Sequence, residues 1–169
     1  MTTEKGNSRQ DVIRKLGELI KATKVGMLTT VADEEGTLRS RPMATQEVEF
    51  DGDLWFLTCT DSGIAKEIEK DHRVNVSYAD ASENRYVSVS GTARVMHDEK
   101  KIKALWNSWY KAWYPKGVND PAIALLRVQV DYAEYWDGPS STIVKFAELV
   151  KALATGEQLK GGEHEKISL

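Results

Sequence analysis

The sequence predicts an α+β fold with a mostly antiparallel sheet. About six strand-like segments rich in β-branched and aromatic residues are joined by tight turns, with helices inserted between some of them. This order lacks the regular strand–helix alternation of a parallel doubly wound sheet. Hairpin connections make antiparallel neighbours, and a barrel is one way to remove the exposed edges of such a sheet. Periodicity alone therefore predicts the class and leaves open whether the sheet closes.

The first third of the chain predicts one helix followed by three strands. Ser8 begins the helix, and Asp11 stands where a capping box places its acidic residue. Apolar residues then recur on one helical face: Val12, Ile13, Leu16, Leu19 and Ile20. Strands are predicted at residues 25–31, 37–50 and 54–58. The dipeptide Asp51-Gly52 between the last two strands is a strong hairpin signal.

The rest of the chain predicts further helices and strands in one domain. Ser62 and Asp98 are candidate N-caps, the first for a helix ending near Lys70 and the second for a helix carrying Ile102, Leu105, Trp106 and Trp109. Strands are expected at residues 73–78, 86–95 and 123–136, and a closing helix at 142–153 with Gly156 just beyond it. The polar tail, residues 157–169, is expected to lie loosely on the surface. We expect residues 1–169 to form a single domain.

Composition excludes several classes of protein. The formal net charge is −3, from 26 acidic and 23 basic residues, so non-specific nucleic-acid binding is not expected. No stretch approaches the roughly 20 apolar residues that cross a bilayer, and the polar N-terminus lacks the apolar core of a signal peptide. The single cysteine cannot form an internal disulfide. We therefore expect a cytoplasmic protein with no membrane partner.

The segment Arg39-Ser40-Arg41-Pro42-Met43 carries the strongest chemical signal. Proline pushes the preceding residue into the extended region, and along an extended strand Arg39 and Arg41 project to the same side, roughly 7 Å apart. Two guanidinium groups on one face suit a phosphate, which each can bind through paired hydrogen bonds. An exposed strand face, with the arginines paired to Glu47 or Glu49, is an equally good interpretation.

A second signal is the turn at residues 58–63, between a strand and a helix. The hydroxyl groups of Thr58 and Ser62 lie near the predicted helix N-terminus, where free amide groups favour an anion. Such a site would complement the two arginines. Ordinary capping by Ser62 explains the same residues without a ligand.

Aromatic residues cluster late in the chain. Trp106 and Trp109 have helical spacing and are predicted to belong to the core. Trp113 lies in a loop and Trp136 at a strand end, where a ring could face a flat ligand.

Other signals are weak or absent. The chain has no dinucleotide-binding or P-loop glycine motif. His72, His97 and His164 are scattered without metal-ligand spacing and are interpreted as solvated. Cys59, at a strand end, is interpreted as an inert half-buried thiol. No metal site is predicted.

Five segments together resemble the general stress protein 26 family, which belongs to the pyridoxamine 5′-phosphate oxidase-like, FMN-binding split barrels. They are RSRPM at 39–43, LWFLT at 54–58, VNVSYAD at 74–80, YVSVSGTARV at 86–95 and AEYWDGP at 133–139. The similarity extends over nearly the whole chain, and it rests on the order and spacing of these segments. It implies a six-stranded antiparallel split β-barrel with flanking helices, and a homodimer with FMN at the subunit interface.

The resemblance also implies roles for individual residues. The positions that match cofactor-binding positions of the family are Arg39, Ser40, Arg41, Pro42, Met43, Thr58, Ser62 and Trp136. Many relatives carry a basic residue two positions after the serine, where this chain has Ile64; Lys66 is a possible replacement. Trp136 is contributed across the dimer in this superfamily, and Trp113 is a further candidate for the flavin site. The family's pyridoxamine phosphate oxidases carry Arg and His after the final strand. Asp137-Gly138-Pro139-Ser140 contains neither, which argues against that substrate.

Two classes of function follow from the resemblance. The first is a general stress protein acting as an FMN-dependent oxidoreductase, with an unidentified small-molecule electron donor and acceptor. The second is a flavin-binding or flavin-buffering module without turnover. A barrel that binds another ligand, such as haem, is a third alternative. No catalytic residue is assigned.

Overall fold

The computed structural model describes residues 9–46, 49–138 and 163–168. Its helices are α1 (Arg9–Lys21), α2 (Gly63–Lys70) and α3 (Glu99–Leu105), followed by a 3₁₀ helix (Ser108–Ala112). Its strands are β1 (Val25–Val31), β2 (Leu38–Ala44), β3 (Asp53–Cys59), β4 (Arg73–Asp80), β5 (Arg85–Met96), β6 (Ile123–Asp137) and β7 (Glu163–Ser168). The predicted α+β class is confirmed. The predicted helix at 142–153 and the cap at Ser8 lie outside the described residues.

All described strand pairs are antiparallel, in the order β2-β1-β4-β5-β6-β3, with β7 also on β6. The long strand β6 organises this arrangement. It pairs with β5 along one side; on the other side it pairs with β3 through Ile123–Gln129 and with β7 through Tyr132–Asp137. A register shift between Ser90 and Gly91 leaves Asp131 of β6 without a partner on β5, so β6 carries a bulge at this point. This path puts β2 and β3 at opposite ends of the sheet.

The hairpin predicted at Asp51-Gly52 is wrong. Gly52 does adopt a positive φ of 113°, which glycine permits at low cost, so the chain turns there. The strands on either side nevertheless pair with different partners, β2 with β1 and β3 with β6. The turn signal identified a local reversal, but pairing was decided by long-range contacts along β6.

The description of residues 157–169 as a loose polar tail is also wrong in part. Glu163–Ser168 forms β7, a seventh strand that the six-strand prediction lacked. Ile167 of β7 packs against the main hydrophobic core. A short, polar edge strand carries little apolar periodicity, so its sequence resembles that of a tail.

Two hydrophobic clusters hold the elements together. The larger cluster lies between the inner face of the sheet and the helices α1 and α2, and it includes Leu16, Leu28, Phe56 and Val89. The smaller one joins β3 and β6 to α3 and the 3₁₀ helix, through residues such as Leu57 and Leu125. β3 therefore contributes alternate residues to both clusters.

Helix capping follows the sequence closely. The Ser62 hydroxyl accepts a hydrogen bond from the Ala65 amide at 3.1 Å, and the Asp98 carboxylate accepts one from the Lys101 amide at 3.0 Å. Both predicted caps are confirmed. The helix after Asp98 ends at Leu105, however, and Trp106 is its C-cap. Trp109 lies in the 3₁₀ helix and is 46% exposed, so its prediction as a core residue is wrong.

Candidate functional site

Arg39 and Arg41 lie on the same side of β2, as predicted, and both contact Glu67 of α2. Arg39 Nη1 lies 2.9 Å from Glu67 Oε1, and Arg41 Nη2 lies 2.6 Å from Glu67 Oε2. Among the described residues their acidic partner is therefore Glu67 and not Glu49; Glu47 lies outside the described residues. The two guanidinium groups hold one carboxylate between them, and we call these three residues the arginine cluster.

Thr30 of β1 completes the hydrogen bonding of this cluster. Its hydroxyl donates to Glu67 Oε2 at 2.6 Å and accepts from Arg41 Nη1 at 2.9 Å. Burial raises the pKa of the Glu67 carboxyl, but the hydrogen bonds from Thr30 and Arg41 and the charges of Arg41 and Arg39 outweigh it. The net effect lowers the pKa of Glu67 below its ordinary value, so this buried acid is ionised at neutral pH.

The cluster keeps part of its hydrogen-bonding capacity. The Arg39 side chain is 62% exposed and uses only Nη1 toward Glu67, whereas Arg41 is 19% exposed and uses both terminal nitrogens. Two guanidinium charges against one carboxylate leave a net charge of +1. Arg39 therefore carries most of the donors that remain open to an anion from solvent.

The other predicted residues of β2 are divided between its two faces. Ser40 and Pro42 point to the outer face of the sheet, and Ser40 Oγ lies 2.7 Å from Thr29 Oγ1 on the neighbouring strand. Met43 is buried in the main core on the side of the arginines. Only Arg39 and Arg41 of this segment reach Glu67.

The structure brings Thr58 and Ser62 together at the start of α2. Their hydroxyl oxygens are 3.1 Å apart, and Thr58 is buried. Lys66 is exposed on the same helix, and Ile64 packs partly buried against the core. The N-terminus of α2 thus carries two hydroxyl groups and an exposed lysine, on the helix that also supplies Glu67.

Trp113 and Trp109 form an exposed aromatic pair beyond α3. Trp113 is 64% exposed, and its ring centroid lies 5.0 Å from that of Trp109 in an edge-on arrangement. Trp109 also stacks on Tyr110, which hydrogen-bonds with Gln46. Trp109, Tyr110 and Gln46, but not Trp113, border an open cleft of about 530 Å³ beside the beginning of β1 and the end of β2.

Trp136, at the end of β6, is 39% exposed and is partly covered by β7. The His164 imidazole stacks on it with ring centroids 5.0 Å apart and an interplanar angle of 8°. His164 Nε2 also lies 2.7 Å from Glu134 Oε1. His97 Nδ1 lies 3.2 Å from the Ile123 carbonyl oxygen. Both histidines therefore have a protein partner, and they remain exposed, as does His72, in agreement with their interpretation as solvated side chains.

Sequence reasoning missed Glu67 and His164. Glu67 stands between Ala65 and Ile68 on the buried face of α2, and an acid on an apolar helix face is a signal for a buried ion pair. His164 had no comparable signal because its role depends on β7 pairing with β6. In the described part of the chain, no group of three or more His, Cys, Asp or Glu side chains could hold a metal ion. Among the described helices, none is long and apolar enough to span a membrane.

Comparison with known proteins gives one family. Residues 11–160 match the pyridoxamine 5′-phosphate oxidase-like family. Protein bli-3 of Neurospora crassa is 29% identical over 165 residues, covering 92% of this chain and 79% of that protein.

Solved structures agree with this match. A general stress protein 26 candidate from Jannaschia sp. superposes with a TM-score of 0.78 at 23% identity, over 95% of this chain and 99% of the other. The general stress FMN/FAD binding protein of Xanthomonas citri has a TM-score of 0.67 at 30% identity, over 78% of this chain and 92% of the other. The first likeness shows the fold alone. The second concerns a protein described by its flavin ligand.

Proposed function

The chain belongs to the pyridoxamine 5′-phosphate oxidase-like family, and we propose that it binds FMN as a homodimeric general stress protein. One observation carries the proposal most directly. The arginine cluster holds two guanidinium groups side by side with a net positive charge, on a chain 30% identical to a general stress FMN/FAD binding protein. The same cluster lies beside the helix whose N-terminus carries Ser62.

The residues present fit a phosphate group. Glu67 does not remove the ability of the arginine cluster to bind an anion, because it neutralises only one of the two guanidinium charges. It also fixes the position of both guanidinium groups. Arg39 offers its remaining N–H groups to solvent, and its planar fork suits phosphate oxygens. Arg41, held by Thr30 and Glu67, contributes positive charge with less freedom to move.

The two hydroxyl groups at α2 add a further donor. Each hydroxyl has one hydrogen, and the 3.1 Å contact between Thr58 and Ser62 uses only one of the two. The Ser62 oxygen already accepts from the Ala65 amide. One hydroxyl hydrogen of the pair therefore stays available for a phosphate oxygen, with Lys66 as an additional cation. This arrangement supports the phosphate role of Ser62 despite Ile64.

The outer face of the sheet supports the homodimer. Strand alternation and register put Val25, Met27, Leu38, Tyr86 and Trp136 on this face, and all five are exposed. Tyr86 and Trp136 are cross-strand neighbours, and Val25 and Met27 share β1. Exposed large apolar side chains on one face of a sheet are typical of an interaction surface. A second copy related by two-fold symmetry would cover the same patch on both chains.

The positions of Arg41 and Trp136 support a site shared between two chains. Arg41 and Trp136 lie on strands that are not hydrogen-bonded neighbours, since β1, β4 and β5 lie between β2 and β6 along the sheet. Arg41 points to the inner face and Trp136 to the outer face. A single flavin would therefore take its phosphate contacts from one chain and Trp136, with Trp113 as a further candidate, from the partner.

The chemistry proposed for this site is oxidation–reduction. A bound flavin supplies the electron-transfer chemistry, and the chain supplies binding, orientation and electrostatics. The described residues of the arginine cluster and of the α2 N-terminus serve phosphate binding, and none is assigned a proton-transfer role. A flavin-buffering module without turnover uses the same residues, so it remains the second candidate.

Binding is tested by the absorption spectrum of the purified protein and by titration with FMN and riboflavin. A flavin spectrum, with FMN bound at least tenfold more tightly than riboflavin, is expected from the charge-assisted contacts to the phosphate. Equal affinity for the two ligands would contradict the phosphate assignment. A haem spectrum would favour the third alternative.

Turnover is tested separately on FMN-loaded protein. An oxidoreductase that takes electrons from a nicotinamide donor should oxidise NADH or NADPH faster than the same concentration of free FMN. A rate no higher than that of free FMN supports the buffering module instead. The binding titration serves as the control that the flavin is bound during the assay.

A further inference from the structure

A second pair of arginines lies on the outer face of the sheet, far along β5 and β6 from Trp136. Arg94 and Arg127 are direct cross-strand partners. Like charges directly opposite one another destabilise a sheet. The pair is therefore unfavourable for the fold to the extent that negative charge does not balance it.

The two arginines differ in how they are held. The guanidinium of Arg127 forms an ion pair with Asp53 at 2.8 Å and lies 5.8 Å from the centroid of the Trp55 ring. In the described part of the chain, no carboxylate forms an ion pair with Arg94, which is exposed. Arg127 is thus fixed beside a cation that has no counter-charge.

A small pocket of about 140 Å³ opens between these side chains. Its lining consists of Thr92, Arg94, Arg127 and Gln129, and all four can donate hydrogen bonds. No carboxylate belongs to the lining, because Asp53 lies on the far side of Arg127 from Arg94 in the strand order. A pocket of donors with net positive charge favours an oxyanion.

Arg94 also borders a larger cleft of about 660 Å³. Val95 and Met96 give this cleft apolar surface, and Glu69, His72 and His97 lie on its wall, so the cleft itself carries one carboxylate and the phosphate belongs in the smaller pocket. Ile68 of α2 lines it as well, whereas the preceding residue, Glu67, belongs to the arginine cluster. Successive helical residues point about 100° apart, so this cleft and the arginine cluster lie on different sides of α2.

We propose that Arg94 and Arg127 bind the phosphate of a phosphorylated organic molecule whose carbon body occupies the cleft beside Val95 and Met96. The pocket supplies the donors for the phosphate, and the cleft supplies the apolar surface and volume for a body the size of a nucleoside. The site is separate from the arginine cluster, and the proposal does not depend on flavin binding.

Calorimetric titration with ADP, adenosine and inorganic pyrophosphate tests this site, with and without saturating FMN. We expect ADP to bind more tightly than adenosine by at least tenfold, since only ADP carries the charged group, and more tightly than pyrophosphate, which lacks the body. Arg94→Gln should weaken ADP binding by about tenfold or more. Arg14→Gln is the matched control, an exposed arginine on α1, and should leave ADP binding unchanged.

Four results would contradict the proposal in whole or in part. ADP could fail to bind at millimolar concentration, or it could bind Arg94→Gln as well as the unchanged protein. Saturating FMN could abolish ADP binding, which would place ADP in the flavin site. Pyrophosphate binding as tightly as ADP would keep the oxyanion pocket and overturn the role of the cleft.

Discussion

Glu67 shows how one buried side chain organises a surface site. Its carboxylate bridges Arg39 and Arg41 and accepts from Thr30, so three elements meet at two oxygen atoms. The sequence predicted that the two arginines share a side of the strand, because strand geometry fixes that spacing. It could not predict their partner, because Glu67 lies 26 residues from Arg41 and reaches it only through the packing of α2.

Replacing Glu67 should change the pH dependence of stability. The pKa of Glu67 in the folded chain is lowered from its ordinary value of 4.5. Its contribution to stability is therefore present above about pH 4.5 and is lost as pH falls through the lowered pKa. Glu67→Gln should reduce the free energy of unfolding at pH 7 by about 1–3 kcal/mol, with the difference shrinking below pH 4.

Urea denaturation of both proteins between pH 3 and pH 7 measures this difference. Glu69→Gln is the matched control, an exposed acid on the same helix, and should shift stability by less than about 0.5 kcal/mol. A constant difference across the pH range would show that the charge of Glu67 is not the stabilising feature.

The two arginines of the cluster should respond differently to truncation. Arg41→Ala removes contacts to both Thr30 and Glu67, so we expect it to lower both the unfolding free energy and FMN affinity, each by roughly 1.5–3 kcal/mol. Arg39→Ala removes one exposed contact. We expect a similar loss of FMN affinity with less than about 1 kcal/mol of stability lost.

Thermal melting and flavin titration on both variants separate these effects. If Arg39→Ala binds FMN like the unchanged protein, the exposed arginine is not a phosphate ligand. If Arg41→Ala loses stability alone, the cluster is structural.

Local sequence signals predicted where helices and strands lie along the chain better than they predicted which strands pair. The bounds of β1 were predicted to the residue, and the start of α2 followed from Ser62. The predictions of a hairpin at Asp51-Gly52 and of a loose tail at residues 157–169 failed. Both errors concern the side of β6 opposite β5, where β3 and β7 form hydrogen bonds with it. Such pairing is set by contacts distant in sequence, which periodicity does not contain.

The bulge in β6 opposite Gly91 offers a test of how tightly β5 and β6 are held together. A Cβ atom on Gly91 would lie 1.9 Å from the Gln129 carbonyl oxygen, closer than any real contact, so the backbone must move. Gly91→Ala should therefore lower the unfolding free energy by about 1–3 kcal/mol, as measured by chemical denaturation.

Gly63→Ala is the matched control for this substitution. No atom lies within 4 Å of a Cβ at Gly63, and its φ is not positive, so the change should be neutral or stabilise by about 0.4–1 kcal/mol. Equal effects of the two substitutions would mean that the bulge can relax around a methyl group.

The chain as a unit presents two chemically different faces. The inner face of the sheet is covered by α1 and α2, whereas the outer face leaves Met27, Tyr86 and Trp136 exposed. Alternation of apolar and polar residues along a strand indicates that the strand has two faces. It does not indicate which face the helices cover and which stays exposed to solvent. Only the resemblance implied that Trp136 would act across a dimer, and the dimer itself stays a prediction.

Mixing two damaged subunits gives the sharpest test of the shared site. Arg39→Ala and Trp136→Ala should each lower flavin affinity as homodimers while remaining folded, because Arg39 is largely exposed and Trp136, partly covered by β7, lies outside the hydrophobic clusters. If each site takes its arginine from one chain and its tryptophan from the other, a heterodimer has one intact site and one doubly damaged site. Tight binding should then return to half of the sites in each heterodimer, as measured by stoichiometric FMN titration.

The alternative arrangement makes the opposite prediction. If one chain supplied both side chains to a site, every site in the heterodimer would still carry one substitution, and no tight binding would return. Subunit exchange must be confirmed independently, by mass spectrometry of differently tagged chains, because unmixed homodimers would give the same result. Failure of tight binding to return in confirmed heterodimers contradicts the shared site.

A protein that remains monomeric at micromolar concentration with FMN bound contradicts the dimer itself, since the apolar side chains of the outer face would then be left uncovered in the flavin-bound state.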